Sequence, residues 1–157
     1  MKRLVLIVIG LIPLPLGYLL NHLMMTVWYS SIPPMFLLCI AMYVIWFLIS
    51  MISTRFFKKN IELIILLNAP AFIIMLLNLF QEYIIGHYWM NFVGASTQFF
   101  FLPFIKLAFT LTSGISSLLA NVVYTTTFAY IAAFVCLILV TYIGCKVGER
   151  LDGSKTQ

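Results

Sequence analysis

The sequence predicts an all-α, polytopic integral membrane protein: four transmembrane helices plus an outer-face segment that lies in the interface or re-enters from it. Three observations carry this. The chain is 64% hydrophobic and only 8% charged, with a mean hydropathy of +1.12, whereas soluble domains run at about 45–50% apolar and about 25% charged. Its 157 residues hold four or five spans of about 20 residues and leave no room for a sizeable extramembrane domain. Finally, eight of the nine Lys and Arg residues fall in three clusters: Lys2-Arg3, then Arg55 with Lys58-Lys59, then Lys146, Arg150 and Lys155.

Cytoplasmic loops collect Lys and Arg, so an even number of crossings separates successive clusters. Four spans leave only Lys106 outside, and both termini are expected in the cytoplasm. Five spans would strand the C-terminal cluster on the outer side. The net charge of +5 sits in the short flanks of apolar helices, where it orients the chain in the membrane, and no nucleic-acid partner is expected.

The chain reads as a single transmembrane domain over 1–157. The first span, about 4–25, begins like a secretory signal, but its apolar run continues to Met25 with no small-residue cleavage site. Pro13 and Pro15 within it release the carbonyls of Ile9 and Leu11 and kink the helix. Trp28 and Tyr29 suit an outer interface, and Ser30 to Pro34 reads as a turn leading into a helix. The second span is about 35–53. A short basic loop follows, making the third span, about 61–80, its antiparallel neighbour. Glu62 stands four residues after Lys58 and three after Lys59, the spacing of a local ion pair at a helix N-terminus.

Residues 81–91 have an interfacial composition. The segment 92–122 is apolar, yet it holds Gln98, Pro103 and Lys106, with Lys106, Thr110 and Ser113 on one helical face. That pattern suits an interfacial or re-entrant helix better than a plain span. A strong span at about 124–144 follows, then a short, polar, frayed cytoplasmic tail at 145–157. Gly144 and Gly148 form a GxxxG at the cytoplasmic exit, a weak dimerisation signal in that position.

Ionisable and amide side chains inside a membrane are costly, so each is a candidate site. Counting from the cytoplasmic ends, Asn21, His22 and Asn78 lie roughly 25–27 Å up their helices. Gln81 and Glu82 share the face of Asn78, and His87 is close by. The six residues form a candidate proton-linked layer, or a site for a small polar ligand, under the outer surface. The simpler account is that helix ends near headgroups carry polar residues and that Asn binds helices together. A second candidate lies near the midplane, where Pro13 and Pro15 meet the depth of Asn68 and Pro70. Paired helix breaks expose carbonyls to substrates in some transporters, although two kinked helices also simply need partners for the freed groups.

Cys39, Cys136 and Cys145 have no metal-binding spacing and no C-x-x-C. No Asp lies within a span, and phosphate loops, HExxH and a Ser/His/Asp set are missing from the sequence. No catalytic residue, cofactor or metal is therefore expected. The first functional expectation is a non-enzymatic accessory, immunity or assembly protein of a bacterial plasma membrane. Its partners would be the lipid bilayer and either a second membrane protein or further copies of itself. An oligomeric small transporter or channel subunit is the alternative, and an enzyme acting on a lipid headgroup is the third reading.

Overall fold

The computed structural model describes residues 2–26, 33–57, 59–87, 89, 91–119 and 122–153, without side chains at 33–34, 113–119, 122–126 and 153. The expected interfacial anchors Trp28 and Tyr29, the basic residues Lys58 and Lys155 and the side chain of Ser113 lie outside this set. Among the described residues the protein is 94% helical, with no strand. In order come α1 (Lys2–Gly10), α2 (Pro13–Thr26), α3 (Pro33–Ser53), α4 (Asn60–Leu79), α5 (Phe92–Leu119) and α6 (Val122–Gly153). A 3₁₀ turn at Thr54–Phe56 ends α3, and a π turn at Phe80–Ile85 extends α4. Gly86, at φ 76°, then stops the helix in the left-handed conformation that glycine adopts freely.

Each helix buries one stripe. On α4 the stripe is Leu63, Leu67, Ala71, Ile74 and Asn78; on α3 it is Cys39, Met42, Tyr43, Trp46 and Ser50. These are the three- and four-residue spacings of a helix with one face inward. The opposite faces expose Ile61, Ile65, Ile73, Leu37 and Val44, large apolar side chains that water would not tolerate in such number but lipid does.

Among the described residues, five helical stretches are long and apolar enough to cross a membrane: Lys2–Thr26, Met35–Phe56, Asn60–Ile85, Phe92–Thr112 and Thr127–Asp152. The arrangement of four spans plus one extra segment therefore holds only approximately, since α5 has the length and composition of a span. Its tethers set it apart from the other four. α4 and α6 run antiparallel, as the pairs Asn68–Thr141, Phe72–Phe134 and Glu82–Thr127 require. α6 thus begins at the end of the bundle where α4 finishes. The start of α5 is held at that same end by Trp89, whose N–H donates to Gln81 and whose ring meets Phe80. Leu119, the last residue of α5, precedes the start of α6 by three positions. The middle of α5 reaches the centre of the bundle, where Leu107 shares a groove with Tyr43, Phe47, Val140 and Ile143. Phe100, Phe101, Phe104 and Ala108 are fully buried against α2, α3, α4 and α6, so α5 is part of the core and not a helix resting on the surface.

The opposite end carries the charges. Arg3 pairs with Glu62 at 2.6 Å and Arg55 with Asp152 at 3.3 Å, which brings the starts of α1 and α4 and the ends of α3 and α6 to one basic end. Glu62 thus meets a cation of a different helix; no ion pair with Lys59 is present among the described residues, and the expected pairing with Lys58 lies outside them. The tail also departs from expectation: α6 stays helical to Gly153. Beyond 144 it still has a packed face, with Cys145 buried and Gly148 set against Met51 and Thr54, and Asp152 is tied to Arg55.

Helix backbones touch at glycines. A Cβ on Gly144 would stand 2.7 Å from the Phe47 carbonyl oxygen and 2.9 Å from the Ser50 Cβ; one on Gly148 would stand 2.6 Å from the Met51 carbonyl oxygen. The GxxxG thus packs α6 on α3 within the chain. A Cβ on Gly17 would overlap the backbone carbonyl of Phe99. Pro103 has no N–H to offer that carbonyl, four residues earlier, which leaves it turned to the closely approaching α2. Gly17→Ala and Gly144→Ala should each cost roughly 1–3 kcal/mol, the range for overpacking a tight contact. Thermal unfolding of the helical circular-dichroism signal in mild detergent checks this. Leu139→Ala, on an exposed face, should leave the midpoint within a degree or so.

Candidate functional site

The far end of α4 gathers the polar residues that its spacing puts on one face. Asn78 and Gln81 are buried, at 1% and 0% exposure, and Glu82 is half-buried. The Gln81 Oε1 accepts the Trp89 N–H at 2.9 Å, fastening the loop after Gly86 back onto the helix. Glu82 Oε2 accepts a hydrogen bond from the Thr127 hydroxyl of α6. The π turn over Phe80–Ile85 adds a residue to the local turn, the form of irregularity that often accompanies functional helix segments. Four further positions have no hydrogen-bond partner among the described residues: both amide atoms of Asn78, Nε2 of Gln81 and Oε1 of Glu82. Burying such groups unpaired is costly, so this cluster is the most polar, least satisfied part of the interior.

The other members of the expected layer stand apart. His22 is exposed and Asn21 half-buried on α2, which packs against α5 and not closely against α4. The His22 carbonyl accepts the Thr26 hydroxyl at 2.8 Å. Neither His22 nor Glu82 belongs to an ion pair among the described residues. His87 is exposed beyond Gly86, with Nδ1 3.2 Å from the Ile85 carbonyl oxygen. Asn78, Gln81 and Glu82 come together; Asn21, His22 and His87 do not join them. Thr127 is the residue that sequence reasoning missed. The antiparallel register would have found it, since the pairing of 68 with 141 carries 82 onto 127.

The midplane candidate resolves into packing. Leu11 and Ile12 separate α1 from α2, and the carbonyls freed by Pro13 and Pro15 are recovered locally. Ile9 O accepts the Ile12 N–H and Leu11 O accepts the Leu14 N–H, both at 3.0 Å. A Cβ on Gly10 would stand 2.6 Å from the Leu67 carbonyl oxygen and 3.0 Å from the Pro70 ring, so the kink rests directly on α4. Pro13 and Pro70 are buried and Pro15 is exposed. Asn68 donates through Nδ2 to the Ile64 carbonyl at 2.9 Å and to Thr141 Oγ1 at 3.1 Å. Thr141 in turn donates to the Leu137 carbonyl at 2.7 Å. Asn68 Oδ1 has no donor among the described residues, and Asn68 lines a lateral groove of about 250 Å³ between α4 and α6, together with Ile64, Ile65, Phe72, Phe134 and Ile138.

Among the described residues, no group of three or more His, Cys, Asp or Glu side chains could hold a metal ion. The three cysteines are unpaired; Cys39 donates from Sγ to the Phe104 carbonyl at 3.2 Å.

Because Glu82 meets Thr127 and not His22, the two pairs should behave differently in double-mutant cycles. Glu82→Gln with His22→Gln should be additive within about 0.5 kcal/mol, whereas Glu82→Gln with Thr127→Val should show coupling of about 0.5–3 kcal/mol. Reversible unfolding of the four single and two double variants in one detergent measures both terms.

Neither a family model, nor a curated protein, nor a solved structure matches this chain.

Proposed function

We propose that this is a small multi-pass protein of a bacterial plasma membrane that acts without catalysis, as an accessory, immunity or assembly partner of a membrane complex. The observation that supports the proposal is a groove that opens sideways between α4 and α6, lined by Ile64, Ile65, Phe72, Phe134 and Ile138 with Asn68 among them. In lipid, helices associate through close packing and interhelical hydrogen bonds, because the tails are as apolar as the side chains they would replace. A partner helix laid in the groove can pack on Ile65, Phe72 and Phe134.

Orientation follows from charge. The basic end holds the described members of all three clusters, and the positive-inside rule puts such an end in the cytoplasm. Both termini are then cytoplasmic and Glu82 lies near the outer face. A second reading rests on the Asn78, Gln81 and Glu82 atoms that have no partner among the described residues, which would suit a small transporter or channel subunit whose polar site is completed by oligomerisation.

The test is co-purification of the full chain from its native membrane in mild detergent. A heteromeric partner retained by the natural protein and lost in Ile65→Trp, which fills the groove from its exposed side, with thermal stability preserved, is the expected outcome. A homo-oligomer that catalyses solute flux in vesicles would overturn it in favour of transport. Orientation is checked separately with single cysteines in a cysteine-free background. Positions 57 and 152 should react only from the cytoplasmic side, and position 87 only from outside.

A further inference from the structure

A larger groove opens at the basic end, and its shape follows from the kink. α1 leans on α4 through Gly10 and does not pack closely on α3. Between α1 and α3 this leaves a lateral slot of about 480 Å³, lined by Val5, Leu6, Ile9, Ile52 and Phe56 with Lys2 at its mouth. Lys2 to Ile9 is two helical turns, so the slot reaches roughly 10 Å inward. Just beyond, Gly10 closes onto Leu67 and Pro70. A helix with its side chains is about 10–12 Å across and needs a furrow along the membrane's depth. This slot is too short to seat one, but it suits a single flexible hydrocarbon chain entering from the headgroup level.

Charge names the headgroup. Lys2 Nζ lies 5.9 Å from the centre of the Phe56 ring, and it is not in an ion pair among the described residues, whereas Arg3, Arg55 and Lys146 are paired with Glu62, Asp152 and Glu149. At this end six described cations (Lys2, Arg3, Arg55, Lys59, Lys146, Arg150) face three carboxylates. Basic pockets between transmembrane helices on the cytoplasmic side are a recurrent form of anionic-lipid site. We infer that the slot between α1 and α3 binds one acyl chain of an anionic phospholipid, whose phosphate is held by Lys2 at the mouth. Selectivity comes from the headgroup, since the acyl chain leaves one hydrocarbon environment for another.

Native mass spectrometry of the detergent-purified full chain tests this, by titration with phosphatidylglycerol and, separately, phosphatidylcholine of identical acyl chains. Phosphatidylglycerol should be retained more tightly. Lys2→Gln should weaken it roughly fivefold, the worth of one basic residue at a membrane surface, while Lys2→Arg should keep it. Ile52→Trp, which fills the slot, should weaken retention of both lipids, with its unfolding temperature confirming that it is folded. Lys106→Gln, a cation outside the slot, should change nothing. Equal retention of the two lipids would overturn the inference, as would an unaltered Lys2→Gln or Ile52→Trp, or a loss in Lys106→Gln as large as in Lys2→Gln.

Discussion

Close approach of helix backbones is the constraint on which the remaining structure depends. In a bilayer the hydrophobic effect keeps helices in the membrane but does not press them together, so association must come from packing and from the few polar contacts that lipid cannot supply. Dispersion falls off steeply with distance, which makes small residues the decisive ones. Gly144 and Gly148 set α6 on α3, Gly10 sets α1 on α4, and Gly17 sets α2 on α5. Ala108, Ala129 and Ala133, all fully buried, do the same with slightly more bulk. The aromatic centre of Trp46, Phe100, Phe101 and Phe104 fills the space that these contacts leave between the helices.

The prolines distribute those contacts. Without a break at Leu11 and Ile12, the first span would continue along α4. With it, the lower half packs on α4 and the upper half on α5. The break costs little, because two i→i+3 bonds recover the freed carbonyls. Pro103 acts differently, since the carbonyl it deprives meets another helix at Gly17. Polar satisfaction is uneven along the bundle: Asn68 and Thr141 form a linked pair near the middle, while buried donors and acceptors of the Asn78–Glu82 cluster have no match among the described residues.

Much of this was legible in the sequence. Helix existence and bounds followed from apolar length, and the expected limits of the first and third spans, about 4–25 and 61–80, fall close to the helical stretches Lys2–Thr26 and Asn60–Leu79. The shared face of Asn78, Gln81 and Glu82 also follows from helical spacing, and the first two are buried with Glu82 half-buried beside them. Which helix a given face would meet was not legible. His22 stands on a helix that the kink has turned towards α5. Thr127 escaped notice because one hydroxyl among several at the start of a span carries no signal until the antiparallel register is known. The helical course of 145–153 was hidden for the opposite reason: its polar composition resembles a frayed end, and the face that Cys145 and Gly148 bury appears only against α3.

The tethering of α5 has a bearing on how the protein is made. Its buried face, Phe100 to Ala108, finds its neighbours on α2, α3, α4 and α6, and the last of these is synthesised after α5 itself. When α5 leaves the ribosome, the slot it will occupy still lacks one wall. Until α6 is made, the Phe101 ring lacks the Tyr130 ring that it meets in the folded protein. The aromatic centre is therefore not complete before the last helix is in place.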